Sequence, residues 1–278
     1  MLHSAFYRFT TVDDSAALAQ AVRTKANGLA LNGSIVVAFE GISGAVAGPA
    51  AALDAFELAL QQPGLLRGAL KGMPFKRSPS LHAPFARLKV SVKPEIVALG
   101  LPAGAAPPAH GDDPGMLSPQ AWHALVQTDD VLVLDNRNHF EVRLGHFRKA
   151  VDPRVHNFRD FVTYVKQQAP AWRAAGRPVA MYCTGGIRCE KAAPWMRSLG
   201  LQVLQLEGGI LTYLQQRQQQ PEGGSAWQGR CFVFDKRMAL DDQLQETATT
   251  AEQVFDARHP DEAWRLQRAR RLQASGTA

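Results

Sequence analysis

Three short and almost wholly apolar runs, Val131-Leu132-Val133-Leu134-Asp135, Val179-Ala180-Met181-Tyr182 and Val203-Leu204-Gln205-Leu206, alternate with stretches of helical spacing. A strand that is apolar on both faces must be covered on both faces, and helices between such strands supply the cover. The alternation therefore predicts a parallel α/β sheet. Helices are expected from Phe158 to Ala174 (with Pro170 a stop or kink), from Cys189 to Leu199, and after the Gly208-Gly209 turn. Ser118-Pro119 opens a shorter helix, with serine as cap and proline at the first helical position.

The first hundred residues follow another order. Ala5 to Phe9 reads as a strand, and Asp13-Asp14-Ser15 caps a helix running to about Leu29. Gly33 to Phe39 is a near-continuous apolar strand, Gly41 and Gly44 mark a turn, and Ala45-Val46-Ala47 returns as a hairpin. A helix from Ala50 to Gln62 stops at Pro63-Gly64, and Leu88-Lys89-Val90-Ser91-Val92 closes the unit. The order β-α-β-β-α-β is that of a ferredoxin-like (acylphosphatase-like) α+β domain. The expected organisation is residues 1–99 for this domain, a Pro/Gly/Ala-rich linker at 100–117 including Pro107-Pro108, an α/β domain at 118–218 and a C-terminal extension at 219–278. The extension ends in a basic stretch with Arg265, Arg268, Arg270 and Arg271, expected as a solvated tail rather than an RNA-contacting helix.

The chemistry concentrates in Cys183-Thr184-Gly185-Gly186-Ile187-Arg188, where an apolar strand gives way to a helix. Ligands in parallel sheets gather beyond the carboxyl ends of strands. Two glycines let the backbone N–H groups curl inward as an anion cradle, the helix adds its positive end, and Arg188 adds a fixed charge. Such a cradle favours the thiolate of Cys183, which is the nucleophilic form. Four residues separate Cys183 from Arg188. That ring is one residue shorter than the one cysteine phosphatases use, and suits a single sulfur or oxygen adduct better than a phosphoryl group. Cys189 is expected to lie on the helix without facing the loop, and Cys231 to be structural.

Three cysteines in 278 residues provide no disulfide framework and no four-thiol metal site. With 46% hydrophobic and 20% charged residues the chain is folded rather than disordered, and it shows neither a bilayer-spanning run nor a signal-peptide start, so it is expected to be cytoplasmic. The formal charge of +6 suits a polyanionic partner without requiring one. Arg143, Lys149, Arg159 and Lys191 are the candidate RNA contacts, within a basic set that also holds His146, Arg148, Arg154 and His156. His139, His146 and His156 have no suitably spaced acidic or cysteine ligand, so no metal is expected. No flavin, nicotinamide or haem motif is present, so no cofactor is expected.

The Cys183–Arg188 loop resembles that of the rhodanese superfamily. Asp135-Asn136-Arg137 after a strand, Phe140-Glu141, and Leu206-Glu207-Gly208-Gly209 extend the likeness. In that reading Asp135 is structural and Arg137 turns to the loop or to Glu141. A longer match, Cys183 through Ala192, resembles the rhodanese-domain tRNA uridine hydroxylases, which oxidise uridine 34 of bacterial tRNA to 5-hydroxyuridine. Leu31-Asn32-Gly33-Ser34, Glu40 to Gly44, Lys93 to Val97, Glu207 to Leu211 and Trp227 to Asp235 carry the same resemblance. It implies an α/β rhodanese-like catalytic domain, Cys183 as the essential residue, Thr184, Gly185, Gly186, Ile187, Arg188, Asp135 and Arg137 as loop support, tRNA as partner and molecular oxygen as co-substrate. Two departures stand out. Asn136 replaces the usual Thr, and no cysteine follows Cys231, where many family members carry a cysteine-rich tail. The same loop also fits a sulfurtransferase carrying a persulfide on Cys183, and a third reading is a non-catalytic RNA-binding module.

Overall fold

The computed structural model describes residues 1–101, 113–220 and 224–274; Pro107-Pro108 and Pro221-Glu222-Gly223 lie outside them. The chain divides into two compact units, Met1–Ala98 and the described residues from 99 onward.

The first unit contains β1 (Leu2–Phe9), α1 (Ser15–Gly28), β2 (Asn32–Ala38), β3 (Gly41–Gly48), α2 (Ala50–Gln61), β4 (Phe75–Pro79) and β5 (Leu88–Val92). Asp14 starts α1 by accepting a hydrogen bond from the Ala17 N–H at 2.8 Å. The sheet order is β4-β1-β3-β2-β5. Its first four strands are antiparallel in the ferredoxin-like order, and β5 lies outside β2, parallel to it. The closing position therefore belongs to β4, not to Leu88–Val92 as the sequence suggested. Phe75-Lys76-Arg77-Ser78-Pro79 hides its strand character behind two cations and a proline, residues that an edge strand tolerates. Arg77 uses its charge inside the unit, reaching Asp54 at 2.6 Å and Glu57 at 2.8 Å on α2. The expected turn also moves. Phe39-Glu40 makes it, and Gly44 lies within β3, where a Cβ would come within 2.9 Å of the Ile35 Cα. The two helices cover a core built on Val22, Ile35, Phe56 and Leu60.

The second unit opens with β6 (Met116–Leu117), α3 (Pro119–Leu125), β7 (Leu132–Asp135), α4 (His139–Leu144), β8 (Gly145–Phe147) and α5 (Asp160–Ala175). It continues with β9 (Val179–Tyr182), α6 (Ile187–Ser198), β10 (Val203–Leu206) and α7 (Gly209–Gln219). Its main sheet, β6-β10-β9-β7, is parallel throughout. Pro170 does not stop α5, which runs on to Ala175. Phe161, Val165 and Ala169 bury that helix, which outweighs the one backbone bond a proline removes. Beneath the sheet, Phe147 meets Tyr182, Tyr213 and Trp227 edge-to-face, with ring centroids 4.7–5.3 Å apart.

The remaining elements are β11 (Trp227–Gly229), β12 (Cys231–Phe232), β13 (Ala239–Leu240), α8 (Ala251–Val254) and α9 (Pro260–Ala274). β11 pairs with β8, and β12 with β13. The basic C-terminal stretch is not a free tail. α9 buries Glu262 and Leu266, and Arg265 lies 5.1 Å from the Phe140 ring. The spaced apolar residues of α9 are too few to announce this packing, and the buried Glu262 is what ties the helix down.

Candidate active site

Cys183 follows the last residue of β9 and is 1% exposed. The loop then turns through Gly186, whose φ of 98° is the left-handed region open to glycine. This conformation aims the Gly186 N–H at the Cys183 Sγ, 3.1 Å away. α6 begins at Ile187, two residues earlier than the sequence suggested, so Arg188 and Cys189 both stand in its first turn. Burial opposes ionisation of Cys183. The Cys189 thiol, the Arg188 charge and the Cys189 and Arg188 backbone N–H groups outweigh it and hold the Cys183 thiol well below its ordinary value. Cys189 thus faces the loop, contrary to expectation, while burial and the neighbouring Cys183 push its own thiol up. Burial pushes Cys231 to about 12.

Two further elements fix the loop. The start of α7 clamps it from one side: the Ile210 N–H donates to the Cys183 carbonyl at 3.0 Å and the Leu211 N–H to the Thr184 carbonyl at 3.1 Å. Gly209 permits this approach. It has φ 69°, and a Cβ there would sit 2.4 Å from the Cys183 carbonyl oxygen. From the other side, Arg188 makes two 2.7 Å bonds to the buried Glu141 carboxylate of α4 and reaches the Thr184 hydroxyl at 3.5 Å. Glu141 also accepts the Asn138 N–H at 3.2 Å. Burial raises the Glu141 carboxyl, but Arg188 and Arg137 bring it below the usual range.

Arg137 turns neither to the loop nor to Glu141 as a partner. It is fully buried and donates Nε and Nη2 to Asp135 at 2.8 and 2.6 Å, with a further Nη2 bond to the Gly145 carbonyl at 2.7 Å. Asp135 also accepts the Tyr182 hydroxyl at 2.5 Å, anchoring the residue that precedes Cys183. Asp135 and Arg137 therefore brace the strand ends, while Glu141 is the partner that faces Arg188. The sequence placed Glu141 in the motif but left its partner open.

The four candidate RNA contacts do not share one environment. Lys191 is buried at 2% exposure, so its ammonium offers nothing to a phosphate backbone. Arg143 is committed to Glu262 at 3.0 and 2.7 Å and to the Val254 carbonyl. Lys149 and Arg159 are exposed, with Lys149 paired to Asp129 at 2.5 Å. For His156 the fold supplies partners that sequence spacing did not: His259 stacks on it at 3.7 Å, and one ligand atom each from His156, His259 and Asp261 lie within 4.8 Å of one another.

Residues 1–96 match the UPF0176 acylphosphatase-like domain, and residues 118–216 match the rhodanese-like domain. A tRNA uridine(34) hydroxylase from Nitrobacter winogradskyi is 43% identical over 259 residues, covering 93% of this chain and 98% of that protein. The chain belongs to the tRNA uridine(34) hydroxylase family. Members of this family from Bradyrhizobium diazoefficiens and Legionella pneumophila are 43% and 36% identical, each over 87% of this chain and over 92% and 91% of their own lengths. The Cys183 loop and Glu141 fall inside the rhodanese-like match, and the β12–β13 hairpin falls outside it. Among the described residues, no helix is long and apolar enough to cross a membrane.

Proposed function

We propose that this protein is an oxidoreductase that hydroxylates uridine 34 of tRNA to 5-hydroxyuridine, with Cys183 as its nucleophile, molecular oxygen as co-substrate and the cytoplasm as its place of work. The observation that carries the reading is a buried Cys183 sulfur that accepts the Gly186 N–H at 3.1 Å at the start of a helix, with Cys189 and Arg188 favouring its thiolate, in a chain of this family. Uracil is electron-poor at C6 and unreactive toward oxidants at C5. Addition of the Cys183 thiolate to C6 reverses this by placing an electron pair on C5, which the oxidant then takes to form the C–O bond. Loss of the C5 proton and cleavage of the S–C6 bond restore the ring and return the thiolate. One oxygen atom ends on C5, and the other leaves as water, taking two electrons and two protons from two molecules of an external thiol that are oxidised to their disulfide. Arg188 and the loop N–H groups serve twice, stabilising the thiolate before addition and receiving it again at elimination.

The test is nucleoside mass spectrometry of tRNA from cells lacking the protein, complemented with wild type or Cys183→Ala. The expected outcome is 5-hydroxyuridine and its derivatives returning with wild type alone. Levels independent of the protein would refute the hydroxylase reading and favour a sulfurtransferase, whose mark would be a Cys183 persulfide that turns over with thiosulfate.

A further inference from the structure

The hairpin of β12 and β13 presents one side chain outward beside the active loop. Phe232 is buried at 3% exposure, yet Phe234, two residues on, is 62% exposed. Its ring meets Phe232 edge-to-face at 4.9 Å, and the Arg188 guanidinium carbon lies 5.9 Å from its centroid. Arg188 in turn is held by Glu141 and Thr184, so Phe234 stands at a fixed position relative to the Cys183 loop.

The turn that holds Phe234 is strongly built. The Val233 N–H donates to the Met238 carbonyl at 2.9 Å, and Asp235 accepts the Arg237 backbone N–H, Nε and Nη2 at 3.0, 2.9 and 2.7 Å. Both charged side chains are nearly buried, and Met238 adopts a φ of 61°. Desolvating an ion pair and placing a non-glycine residue in the left-handed region both cost free energy. Here they fix a segment whose large apolar side chain stays in water. Cys183 itself is 1% exposed, whereas Phe234, 5.9 Å from Arg188 of the same loop, is open to solvent.

We propose that Phe234, next to Arg188, is a stacking subsite for the unpaired pyrimidine base presented to Cys183. The subsite rests on the tRNA reading above and deepens it. An aromatic face stacks on a nucleobase without reading its edge, and so leaves the edge and C6 free for the loop. A purely structural role, shielding the Arg188–Glu141 pair from water, would make Phe234 equally important whether or not a base is present.

The experiment measures affinity of the full-length protein for a synthetic anticodon stem–loop RNA with uridine at position 34, and for the same RNA abasic at that position. Wild type is compared with Phe234→Ala, Phe234→Leu and Phe234→Tyr. The expected result is about tenfold weaker binding of the uridine RNA by the Ala and Leu variants, with Tyr retaining wild-type affinity. On the abasic RNA all four proteins should bind alike. Equal losses on both RNAs, no loss at all, or full rescue by Leu would each overturn the subsite. Binding of neither RNA by wild type would overturn the tRNA reading and the subsite with it, a result distinct from any difference among variants.

Discussion

Replacing Arg188 by methionine leaves the fully buried Glu141 carboxylate without its cation. Removing one partner of a buried pair costs about 3–5 kcal/mol. At about 2–4 °C per kcal/mol for a unit of this size, Tm falls by roughly 6–20 °C. Glu141→Leu strands the guanidinium and has a similar cost. The double variant removes both charges, so most of that loss is recovered. What remains is the Asn138 N–H, which donates to Glu141 at 3.2 Å and would lose its acceptor, a cost of about 1–3 kcal/mol. Stability, read by urea unfolding at pH 7, is therefore restored in the double variant to within about 1–3 kcal/mol of wild type. Cys183 reactivity is not restored. Iodoacetamide alkylation followed across pH, with the modified cysteine located by mass spectrometry, should show its midpoint moving up in Arg188→Met and equally in the double variant. It should not move up in Glu141→Leu, where Arg188 still faces the sulfur. An unchanged midpoint in Arg188→Met would refute the argument, because the backbone N–H groups and Cys189 would then suffice.

Two other perturbations probe the supports. Gly209→Ala would place a Cβ 2.4 Å from the Cys183 carbonyl oxygen and 2.8 Å from the Gly186 nitrogen, so it should destabilise by about 3 kcal/mol or more and slow alkylation of Cys183. Gly176→Ala is the control: φ there is 65° with nothing within 4 Å, and the expected cost is about 1–2 kcal/mol with alkylation unchanged. Equal alkylation of both variants would rule out the α7 clamp as the shaper of the cradle. For Glu262, burial raises the carboxyl, but Arg143 and the Asp256 N–H hold it below the ordinary 4.5. A carboxylate lowered in the folded state gives stability that is complete above 4.5 and is lost as pH falls toward the folded value. Glu262→Gln should therefore cost about 1.5–3 kcal/mol at pH 7, with the deficit shrinking below pH ~4 in urea titrations. A deficit independent of pH would contradict the assignment.

What the sequence made legible was local. The strand Val179–Tyr182, the glycines after Cys183 and the charge of Arg188 lie within ten residues, and their meaning follows from one strand–loop–helix turn. The first domain's order was also readable, except where β4 disguises an edge strand as a charged loop. The distant pairings were not readable. Arg188 meets Glu141 across 47 residues and Arg143 meets Glu262 across 119, and no periodicity encodes which cation meets which carboxylate. Arg137 shows the converse. Its partner Asp135 is two residues away, but only the buried position of both, with Tyr182 as a third member, makes the short-range pair the preferred one. Cys189 depended on where α6 starts, and a shift of two residues turned a thiol expected away from the loop into one that helps lower Cys183. The C-terminal residues read as a tail because the buried acid that anchors them has its cation in another element.

The clamp on the Cys183 and Thr184 carbonyls comes from residues made after the loop, at Ile210 and Leu211. During synthesis the loop therefore leaves the ribosome before the segment that shapes it. Until the unit folds and brings Arg188, Cys189 and the loop N–H groups round its sulfur, Cys183 is an ordinary thiol, mostly protonated at neutral pH. Ionisation of Cys183 is thus a property of the finished fold: a nascent or partly unfolded chain carries it mainly as the thiol, and only the folded unit gathers the groups that favour the thiolate.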